Sequence, residues 1–281
     1  MSGEPDRPTR RDRLSNRRDA AIDRLAERRD SAAGRVADAR DAAAEHLADA
    51  REVASEHLAD AKAAAADLLA KRPKPRLRGV SHQWAFFVSL VLGAALILLA
   101  GAAEARVAVA IYAVSLSAVF GVSALYHRVT WRRPEIRLWM RRLDHAMIYV
   151  LIAGTYTPFA LLALEGAWRW TVLAIVWAGA TVAIVLKFAW VTSPKWLSAG
   201  LGIALGWAGI VVLPKLFGAI GITGTILLAA GGLLYTSGAI VYALRRPDPA
   251  PATFGYHEVF HACVIGAAAC QYAVVALLVA S

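Results

Sequence analysis

Residues 256–261 read Y-H-E-V-F-H, so His257 and His261 stand four apart with Glu258 between them. On a helix that spacing puts both imidazoles on one face, where they can share a metal ion. Neutral imidazole suits Zn²⁺, and two imidazoles call for a further protein ligand. His127 offers it, closing the stretch S-A-L-Y-H at 123–127. Ser123 precedes His127 by four residues and shares its helical face. Asp144, in R-R-L-D-H at 141–145, is the acid best placed to hold a water or take its proton. Three imidazoles leave one tetrahedral position open, which is the donor set of a catalytic zinc site and not of a closed structural one. In a zinc protease the acid inside H-E-x-x-H is the general base. Glu258, however, lies about 100° round the helix from His257 and need not face the metal. It reads instead as an interfacial acid near Arg245 and Arg246. His145, on a different helical face from Asp144, reads as a supporting or interfacial residue.

These side chains belong to a chain of two unlike halves. Residues 1–72 hold 15 basic and 15 acidic residues, so the whole net charge of +10 resides in the remainder, which has 16 basic residues and six acids. Positive charge flanking long apolar runs points to cytoplasmic loops and anionic lipid headgroups, and argues against nucleic acid as a partner. Seven apolar runs, at about 83–103, 107–126, 144–164, 170–186, 196–214, 216–244 and 256–280, are each long enough to cross ~30 Å of hydrocarbon as a helix. Lys187, just past the fourth, can snorkel to the interface. Placing the N-terminus inside puts 15 Lys and Arg on the cytoplasmic side and leaves Arg106, Arg169 and Lys215 opposite. The expected topology is therefore N-terminus in and C-terminus out. It brings His127, Asp144, His257 and His261 to the cytoplasmic ends of the second, third and seventh helices. Acids are costly at membrane depth, which marks Asp144 and Glu258 as purposeful.

The first half is a repeat. Leu14, Leu25, Val36, Leu47, Leu58 and Leu69 recur every eleven residues, preceded at four by Ala21, Ala32, Ala43, Ala54 and Ala65. Eleven residues make three turns of a slightly underwound helix, so this narrow stripe stays on one side. Such a helix suits self-association, a lipid surface or a solvated existence. The expected organisation is a cytoplasmic helical repeat over 1–72, a basic juxtamembrane linker over 73–81 and a membrane domain over 82–281. No apolar core segment precedes residue 79, so the first spanning helix is expected to act as an uncleaved insertion signal. Cys263 and Cys270, seven apart on one helix, are roughly 10 Å apart and read as packing residues, not a disulfide. The fold class is all-α: a seven-transmembrane helix bundle preceded by an amphipathic repeat helix.

S-A-L-Y-H, R-R-L-D-H, A-G-T-Y-T-P at 153–158 and H-E-V-F-H at 257–261 together resemble the hemolysin III branch of the PAQR family, which includes the adiponectin and progestin receptors. The resemblance covers roughly 76–281, and His82, after Arg78 and Gly79, resembles the family's approach to its first helix. It implies zinc ligation by His127, His257 and His261, with Asp144 and Ser123 completing the site. It further implies an integral membrane protein with a ceramidase-like hydrolase activity on lipid amides or esters. The receptor members imply an alternative, a non-enzymatic membrane sensor with structural zinc. The family name implies a third, a cytolytic protein, although no run here forms an amphipathic pore wall. A protease or a metal transporter also fits a zinc site, but a transporter places its ligands nearer mid-membrane.

Overall fold

The computed structural model describes residues 29, 31, 34–35, 40–60, 75–190 and 192–280. The chain divides into two units, Met1–Arg72 and Pro73–Ser281. In the first, residues 40–60 form one helix with every residue exposed. Leu47 and Leu58, one repeat apart, are 61% and 55% exposed, so the apolar stripe is uncovered there. Apart from the helical residues 29, 31, 34 and 35, the rest of the repeat lies outside the described residues.

The second unit is helical: α1 (Val80–Leu99), α2 (Ala103–Arg128), α3 (Pro134–Ala163), α4 (Gly166–Ala189), α5 (Lys195–Trp207), α6 (Leu213–Leu244) and α7 (Tyr256–Ala280). A 3₁₀ turn, Ala208–Val212, extends α5. Residues 195–244 make one apolar stretch of 50 residues. Straight, it would be ~75 Å long, more than twice the hydrocarbon thickness. It doubles back instead. Gly221 adopts φ 61°, ψ −169° and breaks α6 near its start, a conformation that suits glycine. Lys195 then meets Tyr242, and the Trp207 indole donates to Thr236 Oγ1 at 2.9 Å, so the two arms run antiparallel. The reversal occupies 213–221, not the single residue 215 that separates the apolar runs in sequence.

Helix ends differ from the apolar runs elsewhere. α3 begins ten residues before Asp144, because Pro134 is well suited to a first helical turn and the following Arg, Leu and Met are strong helix formers. Asp144 therefore lies well inside a helix and not at its start. α3 also continues without interruption through the buried Pro158.

The helices pack in sequence order around a ring that α7 closes against α1, while α3 also touches α5, α6 and α7 and so stands near the axis. Small residues permit the close approaches: Gly93 faces Ala113, Gly154 faces Ser115, and Gly238 faces Cys263 and Phe260. Large apolar side chains point outward, among them Leu98 at 82% and Val182 at 69% exposure. An outer surface of this kind, over helices that satisfy their own backbone bonds, belongs in lipid. The chain is a multi-pass integral membrane protein.

Candidate metal centre

The last turn of α2 carries His127 and the first two turns of α7 carry His257 and His261. One ring nitrogen from each lies within 4.8 Å of those of the other two. His127 Nε2 and His257 Nε2 approach to 3.1 Å. Two nitrogens this close, both acceptors in the absence of a proton, must share either a proton or a cation. Two nitrogens bound to one tetrahedral zinc at about 2.0–2.1 Å stand a little over 3 Å apart, so the arrangement fits that ion. The buried Nδ1 of His261 makes no hydrogen bond.

Asp144 comes up from α3 with Oδ2 at 4.0 Å from His127 Nε2. Ser123, one turn before His127 on α2, lines the same cavity as Asp144. All five residues singled out by motif spacing thus reach one place at one end of the bundle. His145 does not join them as a ligand. Its Nδ1–H donates to the Arg141 carbonyl at 2.7 Å, which leaves Nε2 to accept from the Tyr242 hydroxyl at 3.1 Å.

Glu258 is turned away from the cluster and is 2% exposed. It accepts the Gly255 backbone N–H at 2.8 Å and forms an ion pair with Arg78. Its partner is therefore the juxtamembrane linker and not Arg245 or Arg246. The pairing belongs to a larger arrangement that the motifs did not reveal. Arg76 and Leu77 donate backbone N–H groups to the carbonyls of Ala252 and Thr253 at 3.0 and 3.1 Å, pinning the linker to the loop before α7. Gly79, at φ 77°, lies so close to His127 that an added Cβ would stand 2.6 Å from the histidine Cβ. His82 stacks on His261, with ring centroids 3.7 Å apart and planes within 9°. Residues 78–82, R-G-V-S-H, therefore brace every ligand-bearing segment at once. Arg78 lies outside the helix that carries His82, with Gly79 in the left-handed conformation between them, so helical spacing gives no sign of this arrangement in the sequence.

A cavity of about 260 Å³ opens from the cluster into the bundle. Asp144, Ser123, His257 and His261 line one end, and Leu213 and Leu216 line a deeper part. Most of its wall is apolar, as in pockets that take small apolar ligands.

The haemolysin-III related family matches residues 70–272 of this chain. Hemolysin-3 of Bacillus cereus is 37% identical over 172 residues, which cover 61% of this chain and 75% of that protein. The hemolysin-3 homolog of Bacillus subtilis is 34% identical over 172 residues, covering 61% and 77%. The human monocyte to macrophage differentiation factor is 26% identical over 169 residues, covering 58% and 66%. The matched span begins before the linker that braces the cluster and takes in both histidines of α7, and the chain belongs to the haemolysin III family, in the branch of the PAQR proteins that its motifs resemble.

Proposed function

We propose that this protein is a zinc-dependent hydrolase of lipid amides or esters, ceramidase-like in its chemistry, working at the cytoplasmic side of the membrane. The observation that carries the reading is the opening of an apolar cavity onto the Asp144 carboxylate and onto His257 and His261, two of the three clustered imidazoles. Zinc held by His127, His257 and His261 would polarise a carbonyl and make a water acidic near neutral pH.

The chain's own groups supply the rest. The cavity takes the acyl chain and keeps bulk water from the reacting carbonyl. The Asp144 carboxylate receives the proton of the attacking water and returns it to the leaving nitrogen or oxygen. Ser123, on the same cavity wall, offers its hydroxyl to orient the carboxylate. His145 is tied on both ring nitrogens and takes no part in the proton transfer. The basic loops rest against anionic headgroups, and the uncovered Leu47–Leu58 stripe gives residues 1–72 a surface for self-association.

Purified protein in nanodiscs, offered a panel of amide and ester lipids, is expected to release fatty acid. Asp144→Asn is expected to lower that release at least about a hundredfold, the usual scale for loss of a general base. Failure of the wild type to turn over any member of a broad panel would leave the hydrolase reading without support.

A structural-zinc sensor is the second reading. It is favoured by the short 4.0 Å approach of Asp144 to His127, from which the carboxylate could close the coordination sphere. Orientation is tested separately. A reporter at the C-terminus is expected to read as extracytoplasmic, and a cytoplasmic signal would move the site to the other face of the membrane.

A further inference from the structure

The wall of the cavity that reaches the histidine cluster also holds a buried cation that, among the described residues, has no acid within 4.0 Å. Lys187, in the last turn of α4, is 3% exposed and lines the cavity. It does not snorkel to the interface as its position in sequence suggests. Its ammonium donates to Ser193 Oγ at 2.6 Å, a neutral partner across the turn into α5. Two further cations share the region. Lys195 lies 4.3 Å from the ring centroid of Tyr242, another residue of the cavity wall, and donates to the Tyr256 hydroxyl at 3.0 Å. Arg141 stands one turn before His145, a residue of the cavity wall, and its carbonyl accepts the His145 Nδ1–H at 2.7 Å. Among the described residues, no carboxylate comes within 4.0 Å of any of these three cations. Asp144, the one acid among the described residues that line the cavity, lies by the histidines, with Oδ2 4.0 Å from His127 Nε2 and 3.7 Å from His145 Nδ1.

An ammonium withdrawn from water without a counter-charge is strongly disfavoured, and more so inside a membrane protein. A bound zinc would add two further positive charges to the same end of the cavity. The local balance is short of a negative group, and the cavity provides the room for one.

We propose that Lys187, supported by Arg141 and Lys195, forms an anion subsite that takes the phosphate or carboxylate headgroup of a lipid whose acyl chain lies in the cavity. The inference rests on the lipid-hydrolase reading and narrows it from lipid amides and esters in general to those with an anionic headgroup. Ser193 orients the ammonium toward that group. The substrate's carbonyl then lies between the subsite and the apolar part of the cavity, at the histidine cluster.

The test uses full-length protein in phosphatidylcholine nanodiscs and two probes that share an acyl chain and an amide. N-oleoylglycine carries a carboxylate, and N-oleoylethanolamine carries a neutral hydroxyl. Binding is measured in an Asp144→Asn background, so that neither probe is consumed. N-oleoylglycine is expected to bind about ten- to a hundredfold more tightly, the scale of a charged hydrogen bond. Lys187→Met, similar in length and apolar, is expected to bring the two probes level by weakening N-oleoylglycine alone. Lys187→Arg is expected to keep most of the preference. Unchanged binding of N-oleoylethanolamine to Lys187→Met shows that the cavity is intact. Equal binding of the two probes before Lys187 is changed, or a preference that survives Lys187→Met, overturns the subsite. Inorganic phosphate is the third arm. If it occupies the Lys187 site as tightly as the acylated probe, the site serves free anions and the lipid assignment fails. If neither probe binds, the failure falls on the lipid reading itself and takes the subsite with it.

Discussion

Alanine at His127, His257 or His261 is expected to strip the protein of its metal, while Asp144→Asn and Ser123→Ala retain it. The purified wild type is expected to carry one zinc per chain, and metal analysis of the five variants beside it decides the matter. Each histidine supplies one of three nitrogens that already sit within 4.8 Å of one another. Removing one leaves two protein ligands, too few for either a structural or a catalytic zinc. Asp144 and Ser123 stand behind the ligands. Loss of such a supporting group costs about 10–100-fold in affinity or activity, so at micromolar protein and zinc these two variants remain largely loaded. The result with the greatest leverage is that for Asp144. If Asp144→Asn loses zinc as completely as His257→Ala, the carboxylate is a fourth ligand and the site is closed. A closed site has no place for a reacting water, and the sensor reading then displaces the hydrolase.

Much of this geometry follows from local spacing, and for that reason it is legible in the sequence. Ser123 with His127, and His257 with His261, are each four apart, and a helix turns each pair to one side whatever surrounds it. The seven helices are legible for a similarly simple reason, since about twenty apolar residues must cross the bilayer as a helix. Helix ends are less so, because capping, propensity and backbone conformation set them, and hydropathy does not. Pro134 starts α3 within a polar, arginine-rich stretch, and Gly221 reverses the chain several residues beyond Lys215. Least legible are the contacts between distant segments. Arg78 looks like one more basic residue facing lipid headgroups, and Glu258 looks like an interfacial acid near Arg245 and Arg246. Only the packing of α1 against α7 shows that they satisfy each other. Lys187 is misread for the same reason: its sequence neighbours place it at an interface, and the turn through Ser193 draws it inside.

The Arg78–Glu258 pair should therefore be the most sensitive point of the fold outside the metal ligands. Glu258 is 2% exposed, and without Arg78 its charge keeps only the Gly255 N–H. Breaking a buried pair by removing one partner typically costs about 3–5 kcal/mol, because the other charge is left uncompensated. Arg78→Met is expected to fall in that range. Glu258→Gln is expected to cost less, since the amide oxygen can still accept from Gly255, and the Arg78 side chain at 17% exposure can turn toward headgroups. The double variant, Arg78→Met with Glu258→Gln, removes both charges and is expected to recover much of the loss seen in Arg78→Met alone. Thermal unfolding of the four proteins in one detergent gives the cycle. Zinc content gives the link to the site, because Glu258 sits between two ligands and the arginine lies beside Gly79, which packs on the third. Arg78→Met is expected to weaken zinc retention, and the double variant to restore part of it. An unshifted unfolding temperature in Arg78→Met, or a double variant less stable than either single one, would show that the pair is incidental to the fold. The linker would then reach the site through Gly79 and His82 alone.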